Sequence, residues 1–326
     1  RRFSRRRRLR IAARDLLTDA PPLQTIGSLS DTADAALVGA LRTAAPDSQP
    51  GLCVIAMGKW GGRELSYGSD VDLMYVFGDE ADRDSALGIT SDLSHILTEP
   101  SRHGDGYQLD ASIRPEGRAG PMARSLDSYR TYYEKWAEPW ELLALVKARA
   151  AAGDKSVAAD FFEAVSPFLW RESLPGETLL AIRNIKARVE NERIPAGEDP
   201  DYHLKLGPGG LSDVEFLVQL FQLKHGYGEP DVRVAGTIDA LTTLQGIGSI
   251  GEKETDALRE SYIFCTRVRL RLHLQAGTTM NSLPTDPTKL ARLAASLGFD
   301  RTSDLREEYR KVTRRARDVF ERRFYE

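Results

Sequence analysis

Two short apolar runs, Leu52-Cys53-Val54-Ile55-Ala56-Met57 and Leu73-Met74-Tyr75-Val76-Phe77, most constrain what this chain can fold into. Both are short, rich in strand-forming residues and bounded by turn signals. Between them lies Gly58-Lys59-Trp60-Gly61-Gly62-Arg63, a glycine-dense loop with two cations. Glycines let a backbone approach a ligand closely and offer its N–H groups to anions. The loop has neither Walker A nor Gly-x-Gly-x-x-Gly spacing, so alone it is a weak phosphate signal. Immediately before the second run stands Gly68-Ser69-Asp70-Val71-Asp72. Side chains alternate along a strand, so Asp70 and Asp72 project from one face, roughly 6–7 Å apart. Neighbouring carboxylates repel unless cations neutralise them, and Mg²⁺ takes one or two carboxylates together with substrate phosphates. The pair therefore points to metal-assisted chemistry on a phosphorylated substrate. The bland alternative is an Asp-x-Asp that caps a helix or faces water.

Two-metal phosphoryl chemistry calls for a further acidic ligand. Tyr107-Gln108-Leu109-Asp110-Ala111-Ser112-Ile113-Arg114 alternates apolar with polar residues, which predicts a half-buried strand ended by Pro115 and Gly117. Asp110 and Arg114 share its polar face, one suited to a metal and the other to phosphate charge. The alternative is a solvated face on which the two pair with each other.

A chain of 326 residues with 41% hydrophobic content can bury a real core, divided between two domains. A net charge of −3 argues against a general nucleic-acid coat protein. Cys53 and Cys265 sit in apolar surroundings without metal-ligand spacing, which fits a reducing cytoplasm. His95, His103, His203, His225 and His273 are scattered without zinc-site spacing and read as structural or solvated. No apolar run approaches a membrane span, and no secretory signal is expected. The chain does not begin with Met and is expected to be a piece of something longer. Its basic start, Arg1 to Arg10, can steer an acidic partner but reads better as a solvated helix face.

Residues 1–45 are predicted to be helical with a break near Pro21-Pro22, and 46–51 form a polar break before the catalytic domain, 46–153. Strand, glycine loop, strand, a helix over about 84–98 and a further strand follow in order. Residues 125–150 are predicted as a helix broken at Glu138-Pro139. Its stripe of Tyr129, Tyr133, Trp136 and Trp140 reads as core packing, and Lys147 and Arg149 behind it are candidate phosphate contacts. Residues 154–326 are expected to be helical, with an apolar stripe at Leu211, Val214, Leu217, Val218 and Phe221. Ser212-Asp-Val-Glu215 has the spacing of a capping box, which gives Glu215 a structural role, and Thr302 or Ser303 is the expected cap of a last helix over 302–323.

Several of these motifs, in order, carry a family resemblance: Gly58-Lys59 through Phe77, Asp110 to Gly120, and Leu204-Lys-Leu-Gly-Pro-Gly-Gly-Leu-Ser-Asp-Val-Glu-Phe216. From about Arg10 to its end the chain resembles glutamine synthetase adenylyltransferase, of the nucleotidyltransferase superfamily. The resemblance implies an α/β domain with a mixed central sheet followed by an all-α helical bundle. It is closer to the AMP-adding, C-terminal half of that two-half enzyme, in its actinobacterial form, than to the AMP-removing half. Gly68, Ile185-Lys-Ala-Arg-Val-Glu-Asn-Glu-Arg-Ile-Pro195 and Val312-Thr-Arg-Arg-Ala-Arg317 carry that preference. Trp60, commonly a smaller apolar residue, and Ile113, commonly leucine, depart from the pattern.

What the resemblance implies is AMP transfer from ATP to a tyrosine of glutamine synthetase. Asp70, Asp72 and Asp110 would hold Mg²⁺ or Mn²⁺, with Asp110 also a candidate base. Gly68 and Ser69 would hold the triphosphate, aided by Lys59, Arg63 and Arg114. Glutamine synthetase is the implied protein substrate and a PII-type signal protein the implied regulator, without nucleic acid or membrane. Removal of AMP by phosphorolysis and a non-catalytic module that binds the signal protein are the rival readings.

Overall fold

The computed structural model describes residues 1–46, 51–101 and 104–326, so most of the polar break at 46–51 and His103 lie outside the described residues. The chain divides into two compact units. The first comprises Arg1–Leu17, Gln24–Leu65 and Ser69–Arg171, and the second Thr18–Leu23, Ser66–Gly68 and Glu172–Glu326.

The first unit opens with α1 (Arg2–Thr18) and α2 (Pro22–Ala44), separated at the prolines as expected. β1 (Leu52–Ala56), a single turn α3 (Gly58–Gly61) and β2 (Val71–Phe77) follow. Next come α4 (Arg83–Thr98), β3 (Leu109–Asp110), β4 (Ala123–Ser125), α5 (Leu126–Lys135), α6 (Pro139–Val146), β5 (Arg149–Gly153) and α7 (Lys155–Leu169). The sheet is mixed, ordered β3-β2-β1-β5, with β4 also paired to β2. β1 lies antiparallel to β2 and β5, whereas β3 and β4 run parallel to β2. α7 packs on β1, β2 and β5, and α4 on β2, β3 and β4. All of β1 and all of β2 except Asp72 are buried, which is why these runs read as uninterrupted apolar sequence rather than as alternation.

Two expectations here are corrected. The strand expected over 107–114 is reduced to Leu109–Asp110, because the Ser112 N–H donates to Asp110 Oδ1 at 2.8 Å and turns the chain. The helix expected to reach Ala150 ends at Val146, and Arg149 and Ala150 instead pair with β1 in β5. Of the aromatic stripe, Tyr129 and Tyr133 are core, with the Tyr129 hydroxyl donating to the Tyr75 carbonyl at 3.2 Å, while Trp136 is 62% exposed.

The second unit is helical: α8 (Gly176–Glu192), α9 (Leu211–His225), α10 (Thr237–Gly246), α11 (Glu252–Ala276), α12 (Pro287–Ser296) and α13 (Thr302–Phe324). The stripe from Leu211 to Phe221 is buried. The capping box is not formed: α9 starts at Leu211 with Gly210 as its N-cap, so Ser212 lies inside the first turn. The Leu211 and Ser212 N–H groups are instead satisfied by the Leu204 and Lys205 carbonyls, at 3.0 and 2.8 Å. Arg301, not Thr302 or Ser303, occupies the N-cap of α13.

Three motifs that carried the resemblance converge inside this unit. Lys186 Nζ lies 2.5 Å from Asp213 Oδ1 and 2.7 Å from Glu190 Oε1, and Arg317 Nη1 lies 2.5 Å from Glu190 and 3.0 Å from Asp213 Oδ2. Lys186 and Asp213 are fully buried, and the Lys186 ammonium stands 5.1 Å from the Phe320 ring centroid. Burial pushes Glu190 upward, but hydrogen bonds from Arg317 and Lys186 outweigh it and hold the carboxyl below its usual range.

Candidate active site

The carboxylates come together through strand register. β3 pairs with β2 so that Val71 faces Leu109 and Asp72 faces Asp110, and the Val71 N–H donates to the Gln108 carbonyl at 2.8 Å. Residues opposite each other on neighbouring strands share a face. Val71 and Leu73 are buried at 3% and 1% exposure, whereas Asp72 is half-buried on the other face of β2, and Asp70 is exposed just before the strand begins. Asp72 is the one charged side chain in β2.

The glycine loop meets this pair directly. Gly58 opens α3 at φ +52°, and a Cβ there would lie 2.4 Å from Asp72 Oδ2. Any side chain at that position would be strained and would displace the carboxylate. The Met57 N–H donates to the Asp72 carbonyl at 2.9 Å, which ties the two segments together. Gly61 closes the same turn where a Cβ would collide with the Lys147 carbonyl at 1.9 Å. The loop's glycines are therefore set by close backbone approach at both ends.

The expected accessory residues divide. Lys59 is half-buried in α3, the residue after Gly58, and Ser69 is half-buried just before Asp70. Arg63 is drawn to α2, ion-paired to Asp31 and 3.9 Å from Asp34. Arg114 is buried, and its guanidinium donates to the carbonyls of Ala111 at 2.5 Å, Gly120 at 2.9 Å and Pro121 at 3.0 Å. It staples the loop after β3 instead of sharing a strand face with Asp110. Gly68 groups with the second unit, where Thr279 Oγ1 donates to its carbonyl at 2.9 Å and a Cβ would stand 2.5 Å from His273 Cε1. Crowding by Thr279 and His273 is thus sufficient to require glycine at position 68. Lys147 and Arg149 are also committed, Lys147 in a buried 2.5 Å pair with Glu64 and Arg149 to Asp34 at 2.9 Å.

The Asp110 carboxyl is held in its ionised form by its neighbours. Hydrogen bonds from Ser112 are the largest influence on it and hold its carboxyl below the usual range, with Arg118 and Arg114 adding to the effect. Because the folded-state value is depressed, the associated stability is present above the ordinary carboxylate value of 3.8 and fades as pH falls below it. Ser112→Ala is expected to move the Asp110 titration upward toward 3.8, which carboxyl ¹³C NMR reads directly. An unchanged midpoint would show that Ser112 is not what depresses it.

Among the described residues no group of three or more His, Cys, Asp or Glu side chains stands close enough to hold a metal ion. The three aspartates are therefore not closed into a cage. Their chemistry nonetheless fits a hard divalent cation, since Asp72 and Asp110 face each other in register and Asp110 is kept ionised. Both cysteines are free and buried, and burial pushes their thiols up to about 12, so neither is a nucleophile at neutral pH. Among the described residues no helix is long and apolar enough to cross a membrane.

The sequence profile described as "Glutamate-ammonia ligase adenylyltransferase" matches residues 1–164, which include the glycine loop, Asp70, Asp72 and Asp110. A second profile, "GlnD PII-uridylyltransferase", matches residues 183–324. Similar curated proteins carry the name "Bifunctional glutamine synthetase adenylyltransferase/adenylyl-removing enzyme". That of Leifsonia xyli is 41% identical over 297 residues, 89% of this chain and 29% of the relative. Those of Streptomyces coelicolor and Cutibacterium acnes are each 40% identical, over 92% and 98% of this chain and 31% and 33% of the relatives. The chain thus spans about a third of the length of the curated relatives it matches. With the first profile covering half of the chain, and the acidic strand pair and glycine loop inside it, the chain belongs to the glutamate-ammonia ligase adenylyltransferase family.

Proposed function

We propose that this chain transfers AMP from ATP to a tyrosine hydroxyl of glutamine synthetase, with release of pyrophosphate. The observation that carries the proposal is the in-register pair Asp72–Asp110 with Gly58 packed against Asp72. In this reading the tyrosine oxygen attacks the α-phosphorus, a new P–O bond forms, and the bond to pyrophosphate breaks with the leaving oxygen in line. Asp70, Asp72 and Asp110 would hold Mg²⁺ or Mn²⁺, which when bound would acidify the phenol and neutralise charge on the phosphates. Asp110 would contribute negative charge beside the metal and is the candidate acceptor of the phenol proton. Ser69 and the first N–H groups of the glycine loop would serve the triphosphate, those of Gly61, Gly62 and Arg63 being already donated to Met57, Gly58 and Trp60, and Lys59, one residue from Gly58, would supply a cation.

The AMP-adding direction, in the actinobacterial form, is supported by the motifs at 185–195 and 312–317, whereas packing against Thr279 and His273 accounts for Gly68 without it. Likeness of residues 183–324 to the profile named for PII-uridylyltransferase supports a PII-type signal protein as regulator. The chain would act as part of a larger two-half enzyme in the cytoplasm, where its buried free thiols stay reduced. The direction is tested by supplying adenylylated glutamine synthetase with inorganic phosphate. Little or no ADP is expected. Rapid ADP release would reassign the chain to the AMP-removing half.

A further inference from the structure

The turn that meets Asp72 is held from outside by a carboxylate on α2. Asp34 Oδ1 accepts the Trp60 indole N–H at 2.7 Å and an Arg149 Nη2 donor at 2.9 Å. Arg149, the first residue of β5, also donates to the carbonyls of Trp60 and Gly61, each at 3.3 Å. Trp60 is 1% exposed, and the Asp34 and Arg149 side chains are 21% and 23% exposed, so the bonds are largely shielded from water. A four-residue helix has too few internal hydrogen bonds to hold itself, because nucleating a turn is unfavourable. Here the missing constraint comes from α2 and β5: the guanidinium bridges the carboxylate to the two carbonyls, and the indole locks the ring that stands between them.

We infer that Asp34 is a positioning residue for nucleotidyl transfer, acting through Trp60 and Arg149 to keep Gly58 seated against the Asp72 carboxylate. The inference rests on the reaction proposed above for Asp70, Asp72 and Asp110. Tryptophan at position 60 is itself part of the device, since an aliphatic side chain offers no donor to Asp34.

The test uses the full chain with Asp34→Leu, which removes the acceptor, and Asp34→Asn, which keeps a side-chain oxygen to accept both bonds. Trp60→Phe removes one donor while keeping a ring. In Asp34→Leu, kcat is expected to fall at least about tenfold, the scale of a sub-ångström misplacement at a reacting centre. The Mg²⁺ concentration for half-maximal rate should rise while KM for the acceptor protein holds, a split that loss of fold alone does not produce. Asp34→Asn should recover most of the rate, and Trp60→Phe should give a smaller loss of the same kind. Independently of activity, amide hydrogen exchange at 58–62 should quicken about tenfold in Asp34→Leu, with β1 and β2 unchanged. Unchanged exchange at 58–62 in Asp34→Leu would overturn the inference, as would a rate loss that Asp34→Asn shares in full. Altered loop exchange in a chain that transfers no AMP even as wild type would keep the clamp and reject the reaction.

Discussion

Replacing Asp70 and Asp72 together by asparagine is expected to cut AMP transfer at least about a thousandfold, or ~4 kcal/mol of barrier. The substitution is isosteric and removes only charge. Asp72 is the one charged side chain of an otherwise buried strand and faces Asp110 across the β2–β3 pairing. Asp70 is exposed two residues earlier, just before the strand begins. Two like charges so placed repel, so neutralising them leaves the thermal midpoint unchanged or slightly raised. Initial rates of AMP incorporation, read beside a melting curve, separate the two effects. A double variant that melts normally and transfers AMP at the wild-type rate would remove these residues from the chemistry.

The largest stability effect is expected in the second unit, at Asp213→Ala. Asp213 is fully buried, accepts the Gly209 N–H at 2.7 Å, and pairs with both Lys186 and Arg317. The cluster of Lys186, Arg317, Asp213 and Glu190 balances two positive against two negative charges. Deleting Asp213 leaves a fully buried ammonium with only Glu190 beside it, and breaking such a pair costs about 3–5 kcal/mol. Chemical denaturation should show that loss as a lowered midpoint. The companion change, Asp213→Ala with Lys186→Met, removes both charges and should cost less than Asp213→Ala alone. The same cluster sets an acid limit. Glu190 is held below its ordinary value of 4.5, so its contribution is full above that pH and is lost as pH falls through the depressed value. A double variant as unstable as Asp213→Ala would show that the cost is not an unpaired charge.

Much of this was legible in the sequence, for identifiable reasons. β1 and β2 are buried on both faces and therefore read as continuous apolar runs, and the prolines at 21–22 and 139 mark helix boundaries. Asp72 is the one polar break in the second run, whereas Asp70 precedes the strand that alternation was expected to carry it on. The failures are tertiary. Arg149 to Gly153 is alanine-rich and looks helical, but pairing with β1 overrides that propensity. The alternation around Asp110 suggested a longer strand, yet a turn at Ser112 and the carbonyls that capture Arg114 end it after two residues. Ser212 had the spacing of a cap, but α9 starts one residue earlier with Gly210 as its N-cap, because the Leu204 and Lys205 carbonyls hold the Leu211 and Ser212 N–H groups. The hold of Asp34 on the glycine loop was invisible, because Asp34 and Arg149 are 115 residues apart and no local pattern marks either.

The most direct test of AMP transfer is the fate of label in ATP supplied with unmodified glutamine synthetase and Mg²⁺. The proposed reaction puts label from the α-phosphate on a synthetase tyrosine and sends label from the γ-phosphate into pyrophosphate. An unlabelled synthetase with α-labelled ATP, or γ-label on the protein, would contradict it.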